Sequence, residues 1–246
     1  MDYNFVSHDG FNTFKGHSNL LYNFVKKFIE VNEDHLSFES FMESIQENAI
    51  AFVERGYDHD MPFDPNTETN EEWKNKVAAK MKGDIFEIFT MFTMQYFHNV
   101  PNIMGVKEGT YRQIPDEEDA GVDFTGTVEF NGKRIFGQIK FRNPLNASID
   151  DKSMATAYTR TTVEKLIGLA VIKHHFKEEE DYAVLVTNLF ADKAIYYRAK
   201  EIIGYVNNKP DLEHDYIKIV DRSVFESLIS NDNIAFWNEF LNAIGE

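Results

Sequence analysis

The stretch from Thr125 to Phe141 limits the fold more than any other part of the chain. Thr125 to Phe130 alternates, with Val128 and Phe130 on one face and Thr127 and Glu129 on the other. That is the period-two pattern of a half-buried strand. Asn131-Gly132 follows at once, a pair suited to a type I′ turn because both central residues must take positive φ. The return strand runs from Arg134 to Phe141. Ile135, Gly137, Ile139 and Phe141 fall on one face, and Phe136, Gln138 and Lys140 on the other. Gln138 and Lys140 thus project together from a strand that is otherwise apolar. A lysine on the inner side of such a strand must meet an anion or reach water, and Asp123, at the start of the paired strand, is the candidate to meet it. An acid, an amide oxygen and an ammonium at one strand end can hold a divalent cation and a water. Taken by itself, the pattern also fits a surface hairpin with a solvated lysine.

Upstream, Trp73 to Phe97 contains no proline and one glycine. It predicts a long helix entered through Asn70-Glu71-Glu72, whose acids complement the helix N-terminus. Phe86, Phe89, Thr93, Tyr96 and Phe97 mark a wide apolar face. Glu87 sits within that aromatic stretch, where a carboxylate is costly without a partner. A buried glutamate on a helix, followed by an aspartate and Gln-x-Lys on a hairpin, is the residue set of a metal-dependent nuclease.

These residues resemble the PD-(D/E)xK nuclease superfamily, and most of all the Mrr-type restriction endonucleases. In that group a G-x-x-F-E helix precedes a G-V-D strand and a Q-x-K strand. Here these are Gly83-Asp84-Ile85-Phe86-Glu87, Gly121-Val122-Asp123 and Gln138-Ile139-Lys140. The similarity continues through Tyr182 to Asn188, Ala191 to Ile203 and Ile217 to Ile229, and so covers Val77 to Ile229. Each motif alone is weak; their order is what carries the resemblance. Gln138 departs from the wider superfamily, which has Asp or Glu there, but Gln is usual in the Mrr-like branch.

The resemblance implies an α/β fold: a restriction-endonuclease-like core with a mixed central β-sheet flanked by helices, plus an N-terminal helical extension. The expected division is 1–69 for the extension and 70–246 for the nuclease-like domain. The implied activity is Mg²⁺-dependent hydrolysis of DNA phosphodiesters, leaving 5′-phosphate ends, with Mn²⁺ as a substitute cation. Glu87 and Asp123 would bind the metal, with the Ile139 carbonyl and the Gln138 side chain completing or orienting the shell; hard oxygen ligands suit these ions. Lys140 would position the attacking water and stabilise charge at phosphorus. The other readings are a nuclease domain of a larger helicase or restriction–modification protein, and a nucleic-acid-binding module that does not cut. A homodimer and an association with a helicase or methyltransferase module both stay open as partnerships.

Composition bounds these readings. The net charge of −16 argues against a general polyanion binder, since phosphate contacts need Lys and Arg. The charge is uneven, however. Asn131 to Lys177 holds nine Lys and Arg against three Asp and Glu, whereas Met1 to Lys80 holds seven against fifteen. A locally positive groove on an acidic body would look like this, with Arg142, Arg160 and Lys165 as the expected DNA contacts. The 22 Phe and 43% hydrophobic content supply a core, and zero Cys excludes disulfides and cysteine zinc sites. The N-terminus lacks a basic signal-peptide region and no apolar run approaches membrane-spanning length, so a soluble, cytoplasmic protein with no membrane partner is expected.

Elsewhere, Ser18 to Val31 reads as an amphipathic helix, and Ser37 as the N-cap of a helix from Phe38 to Arg55 stopped by Gly56. Asn102 to Val106 and Thr110 to Ile114 are candidate edge strands. Asp119 in the acidic loop before the site is a candidate further ligand. Met154 to Phe176 is predicted helical, with His174 and His175 at its end as dipole partners. Ala183 to Val186 reads as a strand covered on both faces. Ala191 to Gly204 reads as a helix, Ile217 to Val220 as a strand, Ser223 as the cap of Val224 to Ile229, and Asn233 to Ile244 as the last helix.

Overall fold

Aromatic side chains at helical spacing build the first half of the fold. In the computed structural model, which describes residues 3, 9–17, 19–57, 61–114, 121–143, 157–177, 179–195, 197–208, 215–230 and 233–245, α1 (Asp9–Gly16) and α2 (Leu20–Val31) lead into α3 (Phe38–Glu54). Ser37 caps α3 as the sequence predicts: its hydroxyl accepts from the Ser40 N–H, and the Ser40 hydroxyl accepts from the Ser37 N–H, both at 3.1 Å. This reciprocal box satisfies two N–H groups that the helix itself cannot. Gly56, at φ +105°, follows the end of α3. The long helix α4 (Asn70–Tyr96) begins on a second box, in which the Glu72 carboxylate accepts from the Thr69 N–H at 2.8 Å and the Thr69 hydroxyl from the Glu72 N–H at 3.2 Å.

The chain divides into two compact units: Phe5–Phe92 with Glu226–Glu246, and Met1–Asn4 with Thr93–Phe225. The expected boundary lay at 69/70. The helical unit draws its last helix, α9 (Ile234–Gly245), from the far end of the chain. Phe41 of α3 is its hub, with ring centroids 5.1 Å from Phe28, 5.1 Å from Phe89 and 5.0 Å from Trp237. Tilted and edge-on rings at such distances add about 0.5–1.5 kcal/mol per pair beyond area burial. The buried Trp237 indole N–H donates to the Leu36 carbonyl at 3.2 Å, so its one polar group is not stranded.

The other unit carries a five-stranded mixed sheet flanked by helices, ordered β1 (Arg112–Gln113), β2 (Phe124–Thr127), β3 (Arg134–Lys140), β4 (Asp181–Thr187), β5 (Ile217–Val220). β1–β2 and β2–β3 pair antiparallel, and β3–β4 and β4–β5 parallel. The β3-to-β4 crossover contains α5 (Arg160–His174), capped by the Thr159 hydroxyl on the Thr162 N–H. After β4 come α6 (Ala191–Ala194) and α7 (Tyr197–Asn207), and after β5 comes α8 (Arg222–Leu228). Phe136, Ala183 and Leu185 pack with Tyr158, Val163, Leu166 and Ala170 in one buried cluster, which seats α5 on the sheet. Among the described residues no helix is long and apolar enough to cross a membrane.

Several local expectations are corrected. Asn131 does not take positive φ; only Gly132 does, at +70°, so the hairpin does not close on a type I′ pair. The Val128 carbonyl accepts from the Gly132 N–H and the Val128 N–H donates to the Lys133 carbonyl, each at 2.8 Å. The loop is therefore residues 129–132, and Phe130 is exposed in it rather than on a strand face. Asn102 to Val106 is not a strand: Pro101–Ile103 forms a 3-10 turn, and Val106 makes one bridge to Val128. The predicted helix from Ala191 is two helices, interrupted at Ile195, which bridges to Tyr158. Asp221, not Ser223, caps α8, its carboxylate accepting from the Ser223 N–H at 3.1 Å. The predicted helix start at Met154 lies outside the described residues.

Gly137 fixes the hairpin's packing. A Cβ there would fall 2.0 Å from two carbons of the Phe124 ring, which lies across β3 and stacks on Tyr111 at 5.2 Å and 8°. Gly137→Ala should therefore destabilise the sheet unit by about 1–3 kcal/mol through overpacking. Urea unfolding would read this as a lower midpoint at unchanged slope; an unaltered midpoint would mean that Phe124 moves aside at no cost.

Candidate active site

β2 runs out where the candidate site begins. Its last ladder pair toward the site is Phe124 with Gly137, and the Asp123 N–H donates to the Gly137 carbonyl at 2.8 Å. One residue on, the Asp123 side chain takes over from the backbone: Oδ2 accepts from the Ile139 N–H at 2.6 Å. A charge-assisted bond of this length holds a buried carboxylate that would otherwise be costly. In a strand, the N–H and C=O of one residue leave on the same side, so the Ile139 carbonyl projects from the edge that faces Asp123.

Gln138 follows Gly137 on β3, and Lys140, two residues on, shares its face. The Gln138 side chain is buried, and its Oε1 makes no hydrogen bond with a described residue. A buried amide oxygen without a donor costs roughly 1–3 kcal/mol. Lys140 is half-buried and sits level with Thr187 at the carboxyl ends of the parallel strands β3 and β4. Ligands of open α/β sheets bind beyond that end of the strands.

The surroundings are rigid. Tyr158, fully buried, donates its hydroxyl to the Gln138 and Val186 carbonyls, each at 2.6 Å, and so ties β3 to β4 directly behind Gln138. Beyond the strands, the Asn188 amide accepts from the Arg142 N–H at 2.8 Å and donates to the Arg142 carbonyl at 2.7 Å. Gly121 takes φ +106°, and a Cβ built on it would lie 3.6 Å from both the Gln138 amide nitrogen and the Lys165 stem. Thus Gly121, Gln138 and Lys165 meet at one place, with Lys165 reaching in from α5 along its aliphatic chain. Arg160 is farther out on the α5 surface and is paired with Glu164 at 2.9 Å. Asp119 lies outside the described residues.

Glu87 lies on α4 within the helical unit. It is half-buried rather than buried. The fully buried acid of that motif is Asp84, whose Oδ2 accepts from the Tyr57 hydroxyl and whose Oδ1 is ion-paired with Lys80 Nζ at 3.1 Å. Nearby in sequence, burial holds the Lys82 ammonium below its ordinary pKa, and Lys82 donates to Gln46 at 2.9 Å. Sequence reasoning placed the costly carboxylate one helical turn too far along. Tyr57 lies 27 residues from Asp84, too distant for helical spacing to reveal the pair.

Among the described residues no group of three or more His, Asp or Glu gathers as a ready metal cluster. What β2 and β3 bring together is one carboxylate, one backbone carbonyl edge, one orphaned amide oxygen and one lysine.

Removing the Tyr158 hydroxyl would leave two buried carbonyls with a lost donor. Tyr158→Phe should cost about 1–3 kcal/mol while keeping the ring's packing. Thermal unfolding checks this; a Tm equal to the parent's would mean that the hydroxyl bridge is energetically idle.

No family model matches the chain, and no curated protein matches it.

Proposed function

We propose that the chain is a metal-dependent deoxyribonuclease of the PD-(D/E)xK type, closest to the Mrr-like group, acting at the carboxyl end of β3. The observation that supports this most is the strand end itself. Asp123 is held on the Ile139 N–H, Gln138 beside it on the strand has a buried oxygen lacking a donor among the described residues, and Lys140 shares the Gln138 face.

These donors fit a hard divalent cation, Mg²⁺ or Mn²⁺, better than a soft one, because all are oxygens. The Asp123 carboxylate, the Ile139 carbonyl and Gln138 Oε1 would hold it, and the orphaned amide oxygen would gain the partner it lacks. A cation bound there would polarise the scissile phosphate and lower the pKa of a bound water. Lys140 would orient the attacking water, help to remove its proton and stabilise the negative charge that grows on the phosphoryl oxygens. Water oxygen bonds to phosphorus, the bond from phosphorus to the 3′ oxygen breaks, and the product keeps a 5′-phosphate. Lys165, exposed at its ammonium and packed beside Gly121 through its stem, would take a DNA phosphate on the approach to the site.

The test is incubation of the chain with supercoiled, linear and single-stranded DNA, each with Mg²⁺, Mn²⁺ or EDTA. Cutting with metal and none with EDTA is expected. If the folded chain cuts no form of DNA with any divalent ion, a binding module that does not cut replaces this reading. Within the site, Asp123→Asn should abolish both metal binding by calorimetry and cutting. Lys140→Ala should keep metal binding and lose about 10²–10⁴-fold in rate, the usual weight of a proton-handling group. Parental cutting by Lys140→Ala would remove Lys140 from the chemistry. Glu87→Gln tests the role that the resemblance gives Glu87, and loss of cutting is expected there as well.

A further inference from the structure

A cleft of about 250 Å³ opens on the β1–β2–β3 face at the opposite end of β3 from Lys140. Its lining follows from the ladder register. Arg112 pairs with Thr125, Thr125 with Phe136, and Thr127 with Arg134. Opposed residues share a face, so two arginines and two threonines rise in adjacent rows around Phe136. The His174 ring, at the end of α5, closes one side, 5.7 Å from the Phe136 ring. No acidic residue is in the described lining, although the chain carries a net charge of −16.

The two arginines differ in a useful way. Arg134 is fixed: Nε and Nη2 donate to the buried Asp181 carboxylate at 2.9 and 2.6 Å, and Nη2 also donates to the His175 carbonyl at 3.1 Å. Its guanidinium lies 5.2 Å from the Phe136 ring centroid. Its Nη1 makes no hydrogen bond with a described residue. Arg112 is exposed and makes no hydrogen bond or ion pair with a described residue. The Thr125 and Thr127 hydroxyls are likewise not engaged with described residues. Asp181 takes the Nε–Nη2 fork of Arg134, and the remaining donors, Arg134 Nη1, the Arg112 guanidinium and the two threonine hydroxyls, have no acceptor among the described residues. Planar, forked donors of this kind suit tetrahedral oxyanions.

We propose that this cleft binds a phosphate monoester, at a site separate from the proposed nuclease centre. The volume leaves room for the phosphate together with a sugar, so the group can arrive as a free nucleotide or on the 5′ end of a nucleic-acid strand. Arg134 and the threonine hydroxyls hold the phosphoryl oxygens, and Arg112 closes over the outer ones.

The experiment is calorimetric titration of the full chain in EDTA, which removes any metal-dependent phosphate binding at Asp123. The probes are inorganic phosphate, deoxyadenosine 5′-monophosphate, a 5′-phosphorylated single-stranded oligonucleotide and its unphosphorylated twin. Saturable binding of the phosphate-bearing probes is expected, with the unphosphorylated strand at least tenfold weaker. Equal affinity for phosphate and nucleotide assigns the site to the phosphate group alone. Tighter binding of the phosphorylated strand assigns it to a strand end; either ranking keeps the site. Arg112→Gln, at an exposed position without an ion pair to a described residue, should weaken binding about tenfold or more, and Thr127→Val should weaken it by less. Asp123→Asn should leave it unchanged. Failure of every phosphate-bearing probe to saturate overturns the proposal, as does parental affinity in Arg112→Gln. Both results leave the nuclease reading untouched, because DNA cutting is measured separately with metal.

Discussion

The close approach of the Phe124 ring to Gly137 sets the arrangement on which the candidate site depends. β3 is buried on both faces, so it has no solvent face to absorb an error of register. A slip of one residue would turn Gln138 and Lys140 to the opposite side and put a side chain where the Phe124 ring lies. Because only glycine leaves that space, Phe124 pairs with residue 137 and with no neighbour. Asp123 then donates its N–H to the Gly137 carbonyl, and the Ile139 N–H falls within reach of its carboxylate. The polar face at one end of the strand is thus a consequence of an apolar contact on the other face.

The buried acids illustrate one rule met three times with different partners. Asp181 is satisfied by the Arg134 fork and by the Lys177 N–H at 2.7 Å. Within the helical unit, Asp84 has a tyrosine hydroxyl on one oxygen and a lysine ammonium 3.1 Å from the other. Asp123 has a backbone N–H at 2.6 Å. Charges removed from water need such partners, and a pair broken from one side is strongly destabilising. Asp181 and Asp84 face full cations, which is what a structural carboxylate needs. Asp123 holds the Ile139 N–H next to the buried Gln138 amide, and the proposed metal chemistry is placed at these oxygens.

Both ends of β3 carry cationic groups, but they are built differently. At the carboxyl end Lys140 stands on the strand and Lys165 comes in from α5, each with a flexible stem. At the amino end Arg134 is locked by Asp181 and by the ring of Phe136. A flexible ammonium suits a group that must handle water and a changing charge, and a fixed guanidinium suits recognition of one shape. On this view the hairpin serves a proposed chemical end and a proposed binding end along a single strand.

Strong local signals made much of the fold legible without coordinates. The Ser37 cap, the long helix from Asn70, the alternation of Arg134 to Lys140 and the strand at Ile217 to Val220 are all short-range patterns, governed by capping chemistry and side-chain period. The co-facing of Gln138 and Lys140 follows from that period alone. The errors arose where a long-range contact overrode a local preference. Asn131-Gly132 gave way to a four-residue loop because Val128 bridges to Val106 and bonds to Lys133. The helix after Ala191 broke because Ile195 was drawn to Tyr158. Only the tertiary structure could select Asp84 over Glu87 as the fully buried acid, return α9 to the helical unit, or bring Arg112 and Arg134 into adjacent rows of one sheet face. Those outcomes depend on partners far apart in the chain, and sequence periodicity carries no record of which distant group will arrive.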